Sequence, residues 1–167
     1  MKFFAITFFM VVITGGEVQV PPGYRRYDDM ILPENFFANS SDNRNAVPSK
    51  SLTWPGGKIP YVIDTSPAQN KQQILQAMQH YHANTCVRFI PRTNQYNYVK
   101  IFAGEGCYSL VGVSNGGQQP LSLGTGCTDH GTIVHELGHA LGFYHEQNRS
   151  DQSIGHNLKS SNLTKIG

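Results

Sequence analysis

The run His135-Glu136-Leu137-Gly138-His139-Ala140-Leu141-Gly142-Phe143-Tyr144-His145-Glu146 concentrates the side chains best suited to chemistry. On a helix, positions i and i+4 share a face, so His135 and His139 can offer their imidazoles to one ion. Glu136, beside the first of them, can reach a water held by that ion. Gly142 can take the left-handed conformation that ends a helix and reverses the chain, which swings His145 back as a third nitrogen donor. Three neutral imidazoles with water completing the shell describe an open catalytic zinc site, one Zn2+ per chain. Zinc brings the pKa of its water to about 7 and polarises a scissile carbonyl. Glu136 is the expected general base, taking the water proton and returning it to a leaving amine. The H-E-x-x-H core by itself also occurs on ordinary solvated helix faces. Gly142 and His145 at their offsets are what separate this run from that alternative. His130 and His156 lie outside the pattern and receive no role.

These residues need a helix and a sheet to carry it. The pattern predicts a second helix beginning near Thr128. Upstream, Pro55-Gly56-Gly57 reads as a turn, residues 59–63 as a strand, and Ser66-Pro67 as a helix start with a hydroxyl cap. Ile74, Leu75, Met78 and Tyr81 recur at helical spacing up to about Asn84, as a core-facing stripe. His80 and His82 on that helix have no partner at ligand spacing and read as surface or packing residues. Residues 87–90, 99–103 and 108–113 read as strands, and 121–123 as a shorter one. Asn115-Gly116-Gly117 is a strong turn signal between the last two. Strand, long helix, several strands and a second helix make an α/β (α+β) arrangement, a mixed twisted sheet with two long helices.

The chain has 167 residues and a formal net charge of +2, with no Lys/Arg block. That leaves no electrostatic footprint for nucleic acid and no polybasic membrane patch. Lys2, the apolar run 3–13 and the small residues Thr14, Gly15 and Gly16 read as a signal peptide over 1–16, too short to span a bilayer. The expectation is a secreted, extracellular protein whose cysteines meet an oxidising compartment. There are three, Cys86, Cys107 and Cys127, so one lacks an intramolecular partner. Residues 17–44 show no helix or strand period of useful length and read as an extended segment that needs another surface for order. Asn39-Ser40-Ser41 is a glycosylation acceptor pattern.

The full pattern H-E-x-x-H-x-x-G-x-x-H is the metzincin signature. Its continuation here, HELGHALGFYHEQNRSD, resembles the astacin branch. WPGGKIPYVID at 54–64, NTCVRFIPR, GEGCYSLVG and GTIVHELGHALGF resemble that family in order and spacing, over about residues 28–151. The resemblance implies a zinc metalloendopeptidase made as a zymogen, acting on protein or peptide substrates. By the same resemblance, 17–44 is a propeptide, an activating protease cuts at Arg44-Asn45-Ala46, and 45–151 is a partial peptidase domain. It implies that the new N-terminus lies near Glu146 and that Asp29 in the propeptide binds the zinc in place of water. Arg26, three residues before Asp29, stands where the family usually has an aromatic, and the residues alone equally allow a solvated acidic pair at Asp28-Asp29. It implies a Cys107–Cys127 bridge and leaves Cys86 unpaired, since its family partner comes near the end of the domain. No Met follows Met78 and no Tyr follows Tyr144, so the family's Met-turn and tyrosine ligand have no counterpart. Residues 152–167 read as a divergent tail. The expectation is therefore the upper half of a metzincin-type catalytic domain, C-terminally truncated. The alternative is a non-catalytic secreted zinc-binding fragment or regulator.

Overall fold

A computed structural model describes residues 20–36, 46–47, 50–65 and 70–145. Seven strands form one sheet: β1 (Tyr24–Tyr27), β2 (Met30–Pro33), β3 (Lys58–Ile63), β4 (Arg88–Pro91), β5 (Tyr98–Phe102), β6 (Cys107–Leu110) and β7 (Gln118–Leu123). Among the described residues two α-helices, α1 (Lys71–Asn84) and α2 (His130–Leu141), accompany it. The strand order is β1-β2-β6-β7-β5-β3-β4. β2–β6, β7–β5, β5–β3 and β3–β4 pair parallel, while β1–β2 and β6–β7 pair antiparallel. The expected mixed sheet with two helices is what forms.

Alternation builds the sheet. Val99 and Ile101 of β5 and Leu121 and Leu123 of β7 turn their side chains into one core, the period-2 pattern of a strand with a buried face. The helices enter the same core through residues at helical spacing, Ile74, Ala77 and Met78 from α1 and Ile133, Leu137 and Ala140 from α2. The Tyr81 hydroxyl donates to the Val134 carbonyl at 2.8 Å and ties the two helices together. His82 accepts the Phe89 N–H at 2.9 Å and stacks on its ring, the packing role expected of it. Among the described residues, no helix is long and apolar enough to cross a membrane.

The strand expected over 108–113 ends at Leu110. Gly112 takes φ 71 and its N–H leaves the ladder to donate to His139. β7 begins at Gln118, three residues earlier than expected, although its first half is polar. Buried Gln119 explains this: its amide donates to the Gly112 carbonyl and accepts the Ser114 N–H, so a strand position that looks too polar is fully bonded. The expected turn is present, with Asn115 at φ 56 and Gly117 at φ 91. Part of the segment read as having no strand period forms a hairpin, β1–β2, seated on β6. Its order comes from β6 and from apolar residues landing on both faces. Met30 and Leu32 join Val111 in one cluster, while Ile31 joins Tyr108 and Leu110 in another. The helix start at Ser66-Pro67, the signal segment, the glycosylation pattern at Asn39, Arg44, Asn45 and Glu146 lie outside the described residues.

Candidate metal centre

α2 begins where Asp129 caps it, the carboxylate accepting the Thr132 N–H at 2.9 Å. From that start, His135 and His139 fall on one face, one turn apart. Gly142 ends the helix at φ 113, a conformation closed to residues with a β-carbon, and the chain turns back. Trp54 braces this end: its indole N–H donates to the Ala140 carbonyl at 2.7 Å. Beyond the reversal His145 comes within 5.3 Å of His135 and 4.9 Å of His139, ring centroid to centroid.

A fourth group arrives from the hairpin. Asp29 sits in the loop between β1 and β2, and its carboxylate faces all three rings. Oδ2 lies 3.0 Å from His135 Nε2, and Oδ1 lies 3.4 Å from His139 Nε2 and 2.7 Å from His145 Nε2. One donor atom from each of the four residues falls within 4.8 Å of all the others. Asp29 therefore is not a solvated acidic residue here.

This set fits a zinc ion. Three imidazole nitrogens and a carboxylate oxygen are the donors zinc takes in four-coordinate sites. Asp29 Oδ1 is buried and accepts no properly aligned hydrogen bond, despite its 2.7 Å approach to His145. The Nε2 atoms of His135 and His139 lie 2.9 Å apart, a close approach of two ring nitrogens that a shared cation would accommodate. His139 Nδ1 lies 2.7 Å from the Phe143 carbonyl. That contact keeps the proton on Nδ1 and turns the Nε2 lone pair toward the cluster. Burial holds the His139 pKa below its usual value, against the pull of the Phe143 carbonyl, which favours the neutral ring a metal needs.

Glu136 is buried beside His135, and its Oε2 has no hydrogen-bond partner among the described residues. Burial, then the nearby Asp29 carboxylate, pushes its pKa up to about 8. A carboxyl group tuned toward neutrality is suited to taking and giving a proton.

The model of the Astacin peptidase family matches residues 46–165. The chain belongs to the astacin family. It is 54% identical over 110 residues to astacin-like metalloprotease toxin 1 of Loxosceles intermedia, covering 65% of this chain and 42% of that protein. It is 50% identical over 109 residues to zinc metalloproteinase nas-6 of Caenorhabditis elegans, covering 65% of this chain and 31% of that one. Its fold resembles the solved structure of high choriolytic enzyme 1, a hatching enzyme zinc-protease from Oryzias latipes, with a TM-score of 0.61 and 43% identity. That match covers 66% of this chain and 59% of the other. The chain thus spans less than two thirds of each of these astacin relatives.

This astacin chain carries a Cys107–Cys127 disulfide, while Cys86 is exposed and forms none. Sequence reasoning missed the parts that seat the hairpin. The Tyr144 and Phe36 rings meet at a tilt with centroids 4.9 Å apart, and both pack with Met30, Leu32, Val47 and Val111. Arg26 spans the hairpin and β6, its guanidinium carbon 4.9 Å from the centre of the Tyr108 ring. Phe36 and Val47 lie between motifs, and Tyr144 fills an unspecified position within the histidine motif. Only their arrival on one surface gives them meaning.

Proposed function

We propose that this chain is the zymogen of a secreted zinc-dependent endopeptidase, with 17–44 as its propeptide. The observation that carries the reading is the convergence of Asp29 on His135, His139 and His145. The three histidines would hold one zinc ion, and Asp29 would occupy the remaining position while the propeptide stays attached. Bound zinc supplies Lewis-acid polarisation of the scissile carbonyl and a water acidic enough to attack at neutral pH.

The chain's own residues do the rest. The Phe143 carbonyl fixes the tautomer of His139. Gly142 sets the reversal that returns His145. Glu136 takes a proton from the attacking water and delivers it to the departing amine. While Asp29 is in place, the docked hairpin would fill the position that the attacking water needs. An activating protease cutting at Arg44-Asn45-Ala46 would free the hairpin. Ala46 bridges to Phe143, and the Val47 N–H donates to Gly142, so the new N-terminal segment stays anchored at the end of α2. By the family resemblance, the new amino group would contact Glu146. The substrates would be proteins or peptides. Relatives named as a toxin and a hatching enzyme support an extracellular setting, together with the signal-like residues 1–16.

Glu136→Gln in the secreted protein, activated by cleavage near Arg44, tests the reading. Zinc content should stay at one per chain while turnover of a casein-type substrate falls by about 10²-fold or more. Turnover kept within a small factor would mean that another group activates the water.

A further inference from the structure

Tyr27 pairs with Met30, so Asp28 and Asp29 are a two-residue hairpin loop. Asp28 takes φ 59. Hairpin loops give such a position to Gly, Asn or Asp, because other side chains crowd the following carbonyl there. The loop is also held from outside. Arg26 Nε donates to the Asp28 carbonyl at 2.6 Å, and that carbonyl belongs to the peptide plane leading directly into Asp29. The following plane is held from β6, where the Ser109 N–H donates to the Asp29 carbonyl at 2.9 Å. With both planes fixed, only the two side-chain torsions of Asp29 remain to aim its carboxylate at the histidines.

The Arg26 guanidinium also lies over the ring of Tyr108, the residue before Ser109. A cation over an aromatic face is attracted to it. Arg26 thus holds the loop with one nitrogen while its planar face rests on the strand that holds the other side. Lysine has neither a donor at that point of its stem nor a planar face, so it cannot do both.

We propose that Arg26 is the positioning residue of the blocking carboxylate, a clamp that fixes the Asp28–Asp29 peptide against β6 and thereby delivers Asp29 to the three histidines. This rests on the reading of Asp29 as occupant of the metal's remaining position.

The test uses the full chain loaded with Co2+, whose visible absorption reports its ligands, and hydrogen exchange of the amides of residues 24–32. Asp29→Ala should change the cobalt spectrum. Arg26→Ala, at an exposed position, should move the spectrum part-way toward that of Asp29→Ala and speed hairpin exchange by about tenfold. Arg26→Lys should recover little of either. An Arg26→Ala protein with the unaltered spectrum and unaltered exchange, beside an altered Asp29→Ala spectrum, would overturn the clamp and leave the blocking carboxylate standing. An unaltered Asp29→Ala spectrum would overturn both.

Discussion

The backbone N–H of Val47 donates to the Gly142 carbonyl at 2.8 Å, and its side chain occupies the space that a β-carbon on Gly142 would need, 2.8 Å from Cγ2. Gly142 is thus constrained twice, by its φ of 113 and by Val47. The glycine that turns the chain toward His145 is also the seat of the Ala46–Val47 segment.

Gly142→Ala should therefore damage both stability and the site. The strained backbone alone costs about 1–3 kcal/mol, and the new methyl collides with Val47. Urea unfolding should show the loss, and competitive titration with a chelator should show weaker zinc binding. Adding Val47→Ala removes the collision but not the strain, so the double variant should recover only part. A Gly142→Ala protein equal to wild type in both measurements would sink the argument.

Trp54 offers a second handle on the same turn. Its indole is buried and bonded to the Ala140 carbonyl, next to His139. Trp54→Phe keeps much of the packing and deletes the donor, leaving a carbonyl unpaired in the core. The expected loss is about 1–3 kcal/mol, read from chemical denaturation. An unchanged midpoint would mean that water or another donor replaces the indole.

The three histidines were legible because their offsets lie within one helix and one turn, where local geometry decides placement. α1 and β3 were legible for the same reason. The β1–β2 hairpin was not, since four-residue strands carry too little period and this pair takes its order from β6, far along the chain. Asp29 could be suspected only through family resemblance. Its contact with His135 spans 106 residues of sequence, which no local pattern encodes. β6 was read too long because Val111 and Val113 resemble strand residues, whereas the positive φ of Gly112 ends the pairing. Gln118 to Pro120 were left out of β7 because their polarity hides a buried amide with both of its groups bonded.

The Cys107–Cys127 bridge closes a separation of 20 residues from the start of β6 to the approach to α2. In the chain-entropy account, a loop of this size contributes about 3 kcal/mol. Replacing both cysteines with serine should lower the unfolding free energy by that order. Cys86→Ser, at an exposed position, should leave it unchanged. A Cys86→Ser loss as large as that of the double variant would point to a different pairing in solution.

Removing ligands one at a time separates metal binding from packing. The His135 side chain is 45% exposed, whereas that of His139 is 3% exposed. Both should be needed for zinc, so His135→Ala and His139→Ala should each lower bound zinc well below one per chain by metal analysis. Without metal the two should differ. His139→Ala also empties a buried site and frees the Phe143 carbonyl, so after chelator treatment it should unfold at lower urea than wild type. His135→Ala removes little buried surface, and in chelator it should match wild type. In zinc, wild type should exceed both, because an ion bound only by the folded state stabilises that state. His80→Ala provides the control: His80 is exposed and its ring lies against His130, away from the cluster. It should keep full zinc and full stability. Zinc near one per chain in either ligand variant would remove that histidine from the site. Equal urea midpoints for both variants in chelator would contradict the burial that separates them.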